Sequence, residues 1–296
     1  MSPCILTILA SLARITMRPI NLKTKIFLDS GDPQETREAL SVLGFLDGQT
    51  TNPSLIAKNP NAIGKKFSAA EVLNFYENVV KEVSSLIPQG SVSVEVYADK
   101  DTPSEEMLDQ AKEFYGWIPN AHIKYPTITE GLKAAEISVK DGMRINMTLV
   151  FSQEQSAAVY AATRGAFRGQ VYLSPFVGRL DDIGLNGMDL IANVVKMYGA
   201  GDKHVEVLTA SVRSLEHFIR AIELGSDIIT APLKVLKEWA DAKFQISNFK
   251  FQNTALKPNP YQEIGLNKPW QEYNIRHELT DKGVEKFAAD WDGLIV

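Results

Sequence analysis

The stretch SVSVEVYADKDTPSEEMLDQAKEFYGWIPNAHIKYP (91–126) holds one complete unit of the pattern that decides the fold. Two β-rich runs, SVSVEVYA (91–98) and AHIKYP (121–126), flank SEEMLDQAKEFYGWI (104–118), whose apolar residues recur at helical spacing. Ser104 is suited to opening that helix because serine favours helix N-termini. A strand, a helix and a second strand in this order predict a right-handed crossover between two parallel strands.

The same alternation recurs along most of the chain, which predicts an α/β protein. The other β-rich runs are KIFLD (25–29), GFLDGQTTN (44–52), RINMTLVF (144–151), QVYLSPFV (170–177), HVEVLTA (204–210) and DIITAP (227–232). Segments with helical spacing separate them, as in 69–86 and 214–225. Eight strand–helix units favour a closed (β/α)8 TIM barrel, with an open doubly wound sheet as the alternative. The length of 296 residues allows one or two domains, and the eight units favour one barrel over residues 25–240.

The two ends of the chain depart from this pattern. Residues 1–24 are predicted to form a flexible N-terminal extension, or the native start is Met17; a secretion signal is the weaker alternative because the arginines follow the apolar run. Residues 241–278 are rich in Asn, Pro and aromatics and predict a long ordered loop. A helix over 280–294 follows, and its apolar stripe predicts that the segment 241–296 packs on the barrel or on a neighbouring subunit.

The composition excludes several classes of function. A formal net charge of -5 argues against a nucleic-acid partner, and no apolar run approaches the ~20 residues of a transmembrane helix, so no membrane partner is expected. The single Cys4 cannot form an intramolecular disulfide, and the four histidines lack the spacing of a metal site. We therefore expect a cytoplasmic protein without metal or cofactor, whose chemistry uses carboxylates, lysine and hydroxyls.

Five predicted strands place a polar residue on their less apolar face, near their C-terminal ends, because side chains alternate between the two faces of a strand. These residues are Asp29, Glu95, Lys124, Asn146 and Ser174. Parallel strands are normally covered on both faces and apolar throughout, so the polar positions need a reason. A cavity at the C-terminal end of a barrel, where barrel active sites lie, supplies one. Solvation of one sheet face is the alternative.

The run RINMTLVF (144–151) illustrates this alternation. Its apolar face, predicted to pack under helices, carries Ile145, Met147 and Leu149. Its other face carries Arg144, Asn146 and Thr148. For the runs 204–210 and 227–232 the alternation does not decide which face points inward.

A lysine between two carboxylates suggests Schiff-base chemistry. A neutral amine attacks a carbonyl, and burial favours the neutral form. The carboxylates oppose that effect, but they can carry the protons that imine formation requires. Most lysines are solvated at the surface; Lys124 differs because it lies inside a predicted strand.

Seven motifs resemble the transaldolase family, which includes the fructose-6-phosphate aldolases. They are FLDSGD (27–32), DGQTTNPSLIAK (47–58), VSVEVYA (92–98), HIKYPTITEGLKA (122–134), NMTLVFSQEQ (146–155), SPFVGRLDD (174–182) and TASVR (209–213). The resemblance covers about residues 25–239. TTNPS and SPFVGR, in order and on different strands, are its most specific parts.

The resemblance implies a role for each matching residue. Lys124 would form the imine with C2 of a ketose phosphate, and Asp29 would accept the C4 hydroxyl proton. Glu95 would act through a bound water that Thr148 helps to hold. The retained dihydroxyacetone unit would be bound by Asn52, Asn146 and Ser174. The sugar phosphate would be bound by Arg179, Ser211 and Arg213. Arginine suits phosphate because its planar fork donates two parallel hydrogen bonds; without the motif, a surface salt bridge would be the ordinary expectation for either arginine.

Two positions favour a transaldolase over a fructose-6-phosphate aldolase. Glu95 and the substrate-binding Phe176 resemble transaldolases, whereas the aldolases tend to carry Gln and Tyr there. The segment around Lys124 is more similar to the branch that contains the aldolases. The prediction is a homo-oligomeric transferase of the pentose phosphate pathway that moves a dihydroxyacetone unit from sedoheptulose 7-phosphate or fructose 6-phosphate to an aldose phosphate. The alternatives are a fructose-6-phosphate aldolase and a non-catalytic barrel that binds sugar phosphates.

Overall fold

The computed structural model describes residues 18–246 and 255–296, in which eight parallel strands close into a barrel. The strands are β1 (Lys25–Asp29), β2 (Gly48–Thr50), β3 (Ser91–Glu95), β4 (Ala121–Pro126), β5 (Ile145–Val150), β6 (Val171–Pro175), β7 (Val205–Thr209) and β8 (Ile228–Ala231). Each strand pairs in parallel with the next one along the chain, and β8 pairs with β1. The predicted (β/α)8 TIM barrel is confirmed, and the open doubly wound sheet is excluded.

Helices follow the strands along the chain, and the last one lies near the C-terminus. They are α1 (Pro33–Leu43), α2 (Pro53–Ala57), α3 (Ala69–Leu86), α4 (Ser104–Trp117), α5 (Thr129–Lys140), α6 (Gln153–Ala162), α7 (Val177–Asp182), α8 (Gly187–Tyr198), α9 (Leu215–Glu223), α10 (Leu233–Asp241) and α11 (Glu278–Asp292). Local sequence determines several of their ends. A capping box between Ser68 and Glu71 opens α3, and Gly44 closes α1 with a φ of 76° that favours glycine. α4 begins at the predicted Ser104, although no side chain caps it.

Strand β2 is much shorter than the predicted run 44–52. It ends at Thr50 because the next residues turn into α2, where the side chain of Asn52 accepts a hydrogen bond from the Leu55 backbone N–H at 2.9 Å. It begins at Gly48, where a Cβ would lie 2.5 Å from the Phe27 ring. Glycine therefore lets β2 approach a phenylalanine that fills the barrel interior, and the sharp turn after Thr50 places Asn52 at the carboxyl ends of the strands.

Toward the amino ends of the strands, the barrel interior is filled by aromatic side chains. The His122 ring stacks on Tyr172 with centroids 4.1 Å apart, and Phe27 meets Tyr172 edge-on at 6.0 Å. Burial lowers the pKa of His122 to about 3, so the imidazole is neutral at physiological pH. Its two ring nitrogens lie 2.7 Å from Ser91 Oγ and 3.0 Å from the Gly169 carbonyl. These aromatic rings fill the interior here, whereas the polar residues predicted for the site lie nearer the carboxyl ends of the strands.

The regular alternation predicted for β5 ends before Leu149. The pairing of β5 with β6 shifts register after Met147, and Leu149 has a φ of 58°, which is unusual for leucine. The Leu149 carbonyl accepts a hydrogen bond from Thr280 Oγ1 at 2.9 Å, and its side chain contacts Gly283. Leu149 thus packs under a helix as expected, but a bulge directs it to the C-terminal helix α11 instead of the helices beside β5.

The C-terminal segment follows the outside of the barrel before α11 crosses its mouth. The Lys257 backbone pairs with Gly184, and Trp270 Nε1 donates to Glu136 at 3.0 Å. Helix α11 begins two residues before the predicted 280–294 and packs on α2 and β5 of its own chain. Part of the predicted loop 241–278 lies outside the described residues.

At the N-terminal end of the chain, the first described residues contact the barrel. Of the predicted extension 1–24, residues 1–17 lie outside the described residues. After that, Arg18 pairs with Asp47 at 2.5 Å, and Leu22 is buried. Within 18–246 and 255–296, no helix is long and apolar enough to cross a lipid bilayer.

Candidate active site

A cavity of about 240 Å³ opens at the carboxyl ends of the barrel strands. It is lined by seven of the eleven predicted site residues, namely Asp29, Asn52, Lys124, Ser174, Phe176, Arg179 and Ser211. Asp29, Lys124 and Ser174 lie in the strands near their carboxyl ends, and the other residues lie in the loops and helices that follow the strands. The other four predicted residues, Glu95, Asn146, Thr148 and Arg213, do not line it.

Lys124 lies at the base of the cavity with its side chain 4% exposed. Its Nζ lies 2.9 Å from Glu95 Oε2 and donates to the Thr51 carbonyl at 3.3 Å. The proximity to Glu95 follows from the fold, because β3 and β4 pair these two residues directly in register. Glu95 is therefore within reach of the amine, although it is not among the residues that line the cavity.

The two carboxyl groups share an electrostatic environment. Burial raises the pKa of Asp29 and of Glu95, while the charge of Lys124 opposes both shifts. Asp29 Oδ1 also accepts a hydrogen bond from Thr50 Oγ1 at 2.6 Å. Because Thr50 has one hydroxyl proton, Thr230 Oγ1, 2.6 Å away, must be the donor in their contact. Raised pKa values bring both acids closer to the range in which they can exchange protons during catalysis.

A buried amide supports one wall of the cavity. Ser174 Oγ donates to Asn146 Oδ1 at 2.7 Å, and Asn146 Nδ2 donates to Ser93 Oγ at 3.0 Å. Asn146 is fully buried, so Ser174 lies between it and the cavity. Ser93 lies two residues before Glu95 in β3, so side-chain alternation puts both on one face of the strand, and this is a signal that the sequence contains.

Thr148 is buried beside the bulge of β5. Its carbonyl accepts hydrogen bonds from the backbone and hydroxyl of Thr127, at 2.9 and 2.8 Å. Its own Oγ1 has no hydrogen-bond partner among the described residues. A buried hydroxyl without a partner is unusual and is consistent with a group that binds water or substrate.

Arg179 presents a charge to the cavity. Its guanidinium lies over the rings of Phe176 and Phe287, at 5.2 and 5.3 Å from their centroids. Among the described residues it has no ion-pair partner, and burial lowers its pKa. An arginine remains protonated even so, which makes this position suited to an anion. Beside it, Ser211 has a φ of 58°, and its carbonyl accepts a hydrogen bond from the Gly178 N–H at 3.1 Å.

Arg213 is placed differently from Arg179. Its side chain is 49% exposed and forms a two-pronged ion pair with Asp182. This is the surface salt bridge that was the ordinary expectation without the motif. Its predicted contact with the sugar phosphate would require the arginine to leave Asp182, and it stays a prediction.

Cavity residues that the sequence did not identify come from α2, from the residue after it and from α11. They are Ser54, Leu55, Lys58, Lys286, Phe287 and Asp290. Ser54 Oγ and Lys286 Nζ both contact the Asp290 carboxylate, which fastens α11 to α2 across the mouth. The apolar stripe of α11 predicted that this helix packs on the barrel or on a neighbouring subunit. Its position over the cavity could not be predicted, because it depends on contacts between residues more than 200 positions apart. Within 18–246 and 255–296, no group of His, Cys, Asp and Glu side chains is arranged to hold a metal ion.

Comparisons with known protein sequences agree on one family. A family model described as Transaldolase/Fructose-6-phosphate aldolase matches residues 26–295. A probable transaldolase of Dehalococcoides mccartyi is 35% identical over 91% of this chain and 99% of that protein. One of Methanococcus maripaludis is 38% identical over 90% of this chain and 97% of that protein. Among solved structures, 3-hexulose-6-phosphate synthase of Salmonella typhimurium aligns with 76% of this chain and 99% of its own at 12% identity and a TM-score of 0.48.

Proposed function

Because this chain belongs to the transaldolase/fructose-6-phosphate aldolase family, we propose that it transfers a dihydroxyacetone unit from a ketose phosphate to an aldose phosphate through a Schiff base on Lys124. Sedoheptulose 7-phosphate and fructose 6-phosphate are the proposed donors, which assigns the reaction to the pentose phosphate pathway. The observation that carries the proposal is the position of Lys124, buried at the base of the cavity and 2.9 Å from the Glu95 carboxylate.

Imine formation begins with proton transfer between these two groups. Glu95 accepts a proton from the Lys124 ammonium, directly or through water, and the neutral amine attacks C2 of the ketose. The new C–N bond gives a carbinolamine, and Glu95 returns the proton to its hydroxyl, which leaves as water. The product is a protonated imine whose nitrogen can accept an electron pair. Burial of Glu95 supports this role because it raises the pKa of the carboxyl toward that of a proton carrier.

Asp29 is the proposed base for cleavage. It removes the proton of the C4 hydroxyl, the C3–C4 bond breaks, and its electron pair moves to the imine nitrogen to give an enamine. The aldose phosphate leaves while the three-carbon unit remains on Lys124. When an acceptor aldehyde enters, the enamine attacks its carbonyl carbon, Asp29 returns the proton to the new hydroxyl, and water hydrolyses the imine.

The remaining cavity residues are proposed to bind the two ends of the substrate. Asn52 and Ser174, which line the cavity near Lys124, donate to or accept from the hydroxyls of the retained unit. Arg179 receives the phosphate, since it is the cavity arginine whose charge lacks a carboxylate partner among the described residues. Ser211 adds a hydroxyl at the same wall.

Turnover of fructose 6-phosphate with and without erythrose 4-phosphate tests the proposal. A transaldolase consumes fructose 6-phosphate at an appreciable rate only when the acceptor is present, because the enamine waits for an aldehyde. Equal consumption without the acceptor, with release of free dihydroxyacetone, would identify an aldolase. Binding of fructose 6-phosphate without consumption in either mixture would identify a non-catalytic binder.

A further inference from the structure

Among the described residues, the two whose atoms contact Lys124 Nζ are also bonded, through other atoms, to a single buried hydroxyl. The amine contacts the Glu95 carboxylate and the Thr51 carbonyl. Tyr76, on α3, accepts a hydrogen bond from the Glu95 backbone N–H at 2.9 Å, and its oxygen lies 2.6 Å from Thr51 Oγ1. The hydroxyl therefore joins the end of β3 to the residue that follows β2, and both of these residues contact the lysine amine.

The direction of each hydrogen bond in this network is determined. Thr51 Oγ1 donates its one proton to the Ser93 carbonyl at 2.8 Å. It can only accept from Tyr76, so the tyrosine hydroxyl is the donor. Burial raises the pKa of Tyr76 far above neutrality, which keeps that proton in place. The Tyr76 hydroxyl thus donates to Thr51 and accepts from the Glu95 N–H. Loss of this hydroxyl would leave the Glu95 N–H without its partner.

The ring of Tyr76 is held on three sides, so its hydroxyl has little freedom to move. It meets Phe114, Trp117 and Trp291 edge-on, with centroids 6.1, 5.8 and 5.7 Å away. Trp291 belongs to α11, the helix that contributes Lys286, Phe287 and Asp290 to the cavity. Tyr76 itself is 1% exposed and is not among the described residues that line the cavity.

We propose that Tyr76 is a positioning residue for the imine-forming step, acting by holding Glu95 and Thr51 against the amine of Lys124. This inference rests on the proposed Schiff-base function. Proton transfer between Glu95 and Lys124 depends on a short, aligned contact, and small displacements of such groups cost rate more than they cost substrate affinity. The role is indirect, since Tyr76 contacts neither the cavity nor a reacting atom.

Tyr125 provides the matched control for this role. It is also fully buried, and its hydroxyl lies 2.8 Å from Ser138 Oγ. It follows Lys124 in β4, but its side chain is on the opposite face of the strand and bonds to α5. Tyr125→Phe removes the same atom from a similar environment without touching the Glu95–Thr51 network.

The test compares the two variants in the full-length protein. Imine formation with fructose 6-phosphate is followed by borohydride trapping at timed intervals, together with KM and melting temperature. Tyr76→Phe is expected to slow imine formation by about 10- to 100-fold while KM changes by less than about threefold. Tyr125→Phe is expected to lower the melting temperature comparably and to leave the imine rate unchanged.

A second single variant tests the same network if Tyr76→Phe does not fold. Thr51→Val removes the acceptor of the tyrosine proton and is expected to slow imine formation in the same way. Where both fold, the double variant Tyr76→Phe/Thr51→Val is expected to be no slower than the slower single variant, because both changes break one network. If the wild type forms the imine, an unchanged rate of imine formation in Tyr76→Phe or in Thr51→Val would overturn the inference. A wild type that forms no imine would overturn the proposed function itself.

Discussion

Glu95 Oε2 lies 2.9 Å from Nζ of Lys124 because the two residues occupy paired positions on β3 and β4. The contact is a consequence of sheet register, since a shift of one residue would turn Lys124 to the helix-covered face of its strand. Asp29 reaches the same cavity from β1. The barrel thus gathers an amine and two acids that are far apart in sequence, and burial raises the pKa of both acids.

The raised pKa of Asp29 predicts how activity depends on pH. Asp29 must be ionised to accept the C4 proton, and burial raises its pKa above the ordinary 3.8. The acid limb of kcat/KM is therefore expected above pH 3.8, and Asp29→Asn is expected to abolish cleavage. A pH profile of kcat/KM for fructose 6-phosphate and erythrose 4-phosphate measures this. An acid limb below pH 3.8 would contradict it.

The weakened acidity of Asp29 also predicts an effect on stability. A carboxyl whose pKa is raised by folding weakens the folded state at pH values above that pKa, and the loss disappears as pH falls through it. Asp29→Asn is therefore expected to raise the free energy of unfolding at pH 7. The gain is about 1.4 kcal/mol for each tenfold decrease that folding causes in the acid dissociation constant of Asp29, and it vanishes near pH 4. Asp109→Asn on the exposed face of α4 is the control, with no change beyond about 0.5 kcal/mol. A less stable Asp29→Asn protein at pH 7, measured by urea unfolding, would refute this.

The unpaired charge of Arg179 predicts substrate selectivity. Arg179→Met is expected to raise KM for erythrose 4-phosphate roughly 10- to 100-fold, as loss of a charge-assisted pair does, and to leave KM for unphosphorylated glyceraldehyde unchanged. Arg213→Ala is expected to raise the same KM by a smaller factor, because Arg213 is already paired with Asp182. Steady-state kinetics with both aldehydes separates the two. A loss confined to kcat would mean that neither arginine holds the phosphate.

Gly283 predicts how closely α11 must approach the site. A Cβ there would lie 2.6 Å from Leu149 Cδ2 and 2.8 Å from Arg179 Nη1. Gly283→Ala is therefore expected to displace α11, lowering stability by about 1–3 kcal/mol and raising KM. Gly116→Ala, at an exposed position of α4 with no atom within 4 Å of the added Cβ, is expected to gain up to about 1 kcal/mol instead. Urea unfolding and KM measure both, and equal behaviour of the two variants would contradict this account of α11.

The barrel could be predicted from the sequence because each strand is marked by its own residues. Side-chain alternation is a property of a few consecutive residues, so it placed Asp29, Lys124 and Ser174 inside without knowledge of the rest of the chain. It was ambiguous for β7 and β8, where the structure turns Glu206 and Thr230 inward.

What the sequence could not supply depends on long-range contacts. Leu149 has a positive φ where its carbonyl bonds to Thr280 and its side chain packs on Gly283, both in a helix distant in sequence. Nothing in the residues next to Leu149 in the sequence indicates a bulge. The position of α11 over the cavity likewise depends on the contact of Ser54 with Asp290. Tertiary contacts override local preference at such sites.

The most direct test of the central claim is borohydride reduction in the presence of fructose 6-phosphate, read by peptide mass spectrometry. Borohydride converts a protonated imine to a stable secondary amine. We expect a sugar-derived adduct on Lys124 that is lost in Lys124→Ala and retained in Lys25→Ala. Lys25 is the control because it pairs with Glu206, away from the cavity. No adduct on the wild-type protein, or an adduct that persists in Lys124→Ala, would contradict it.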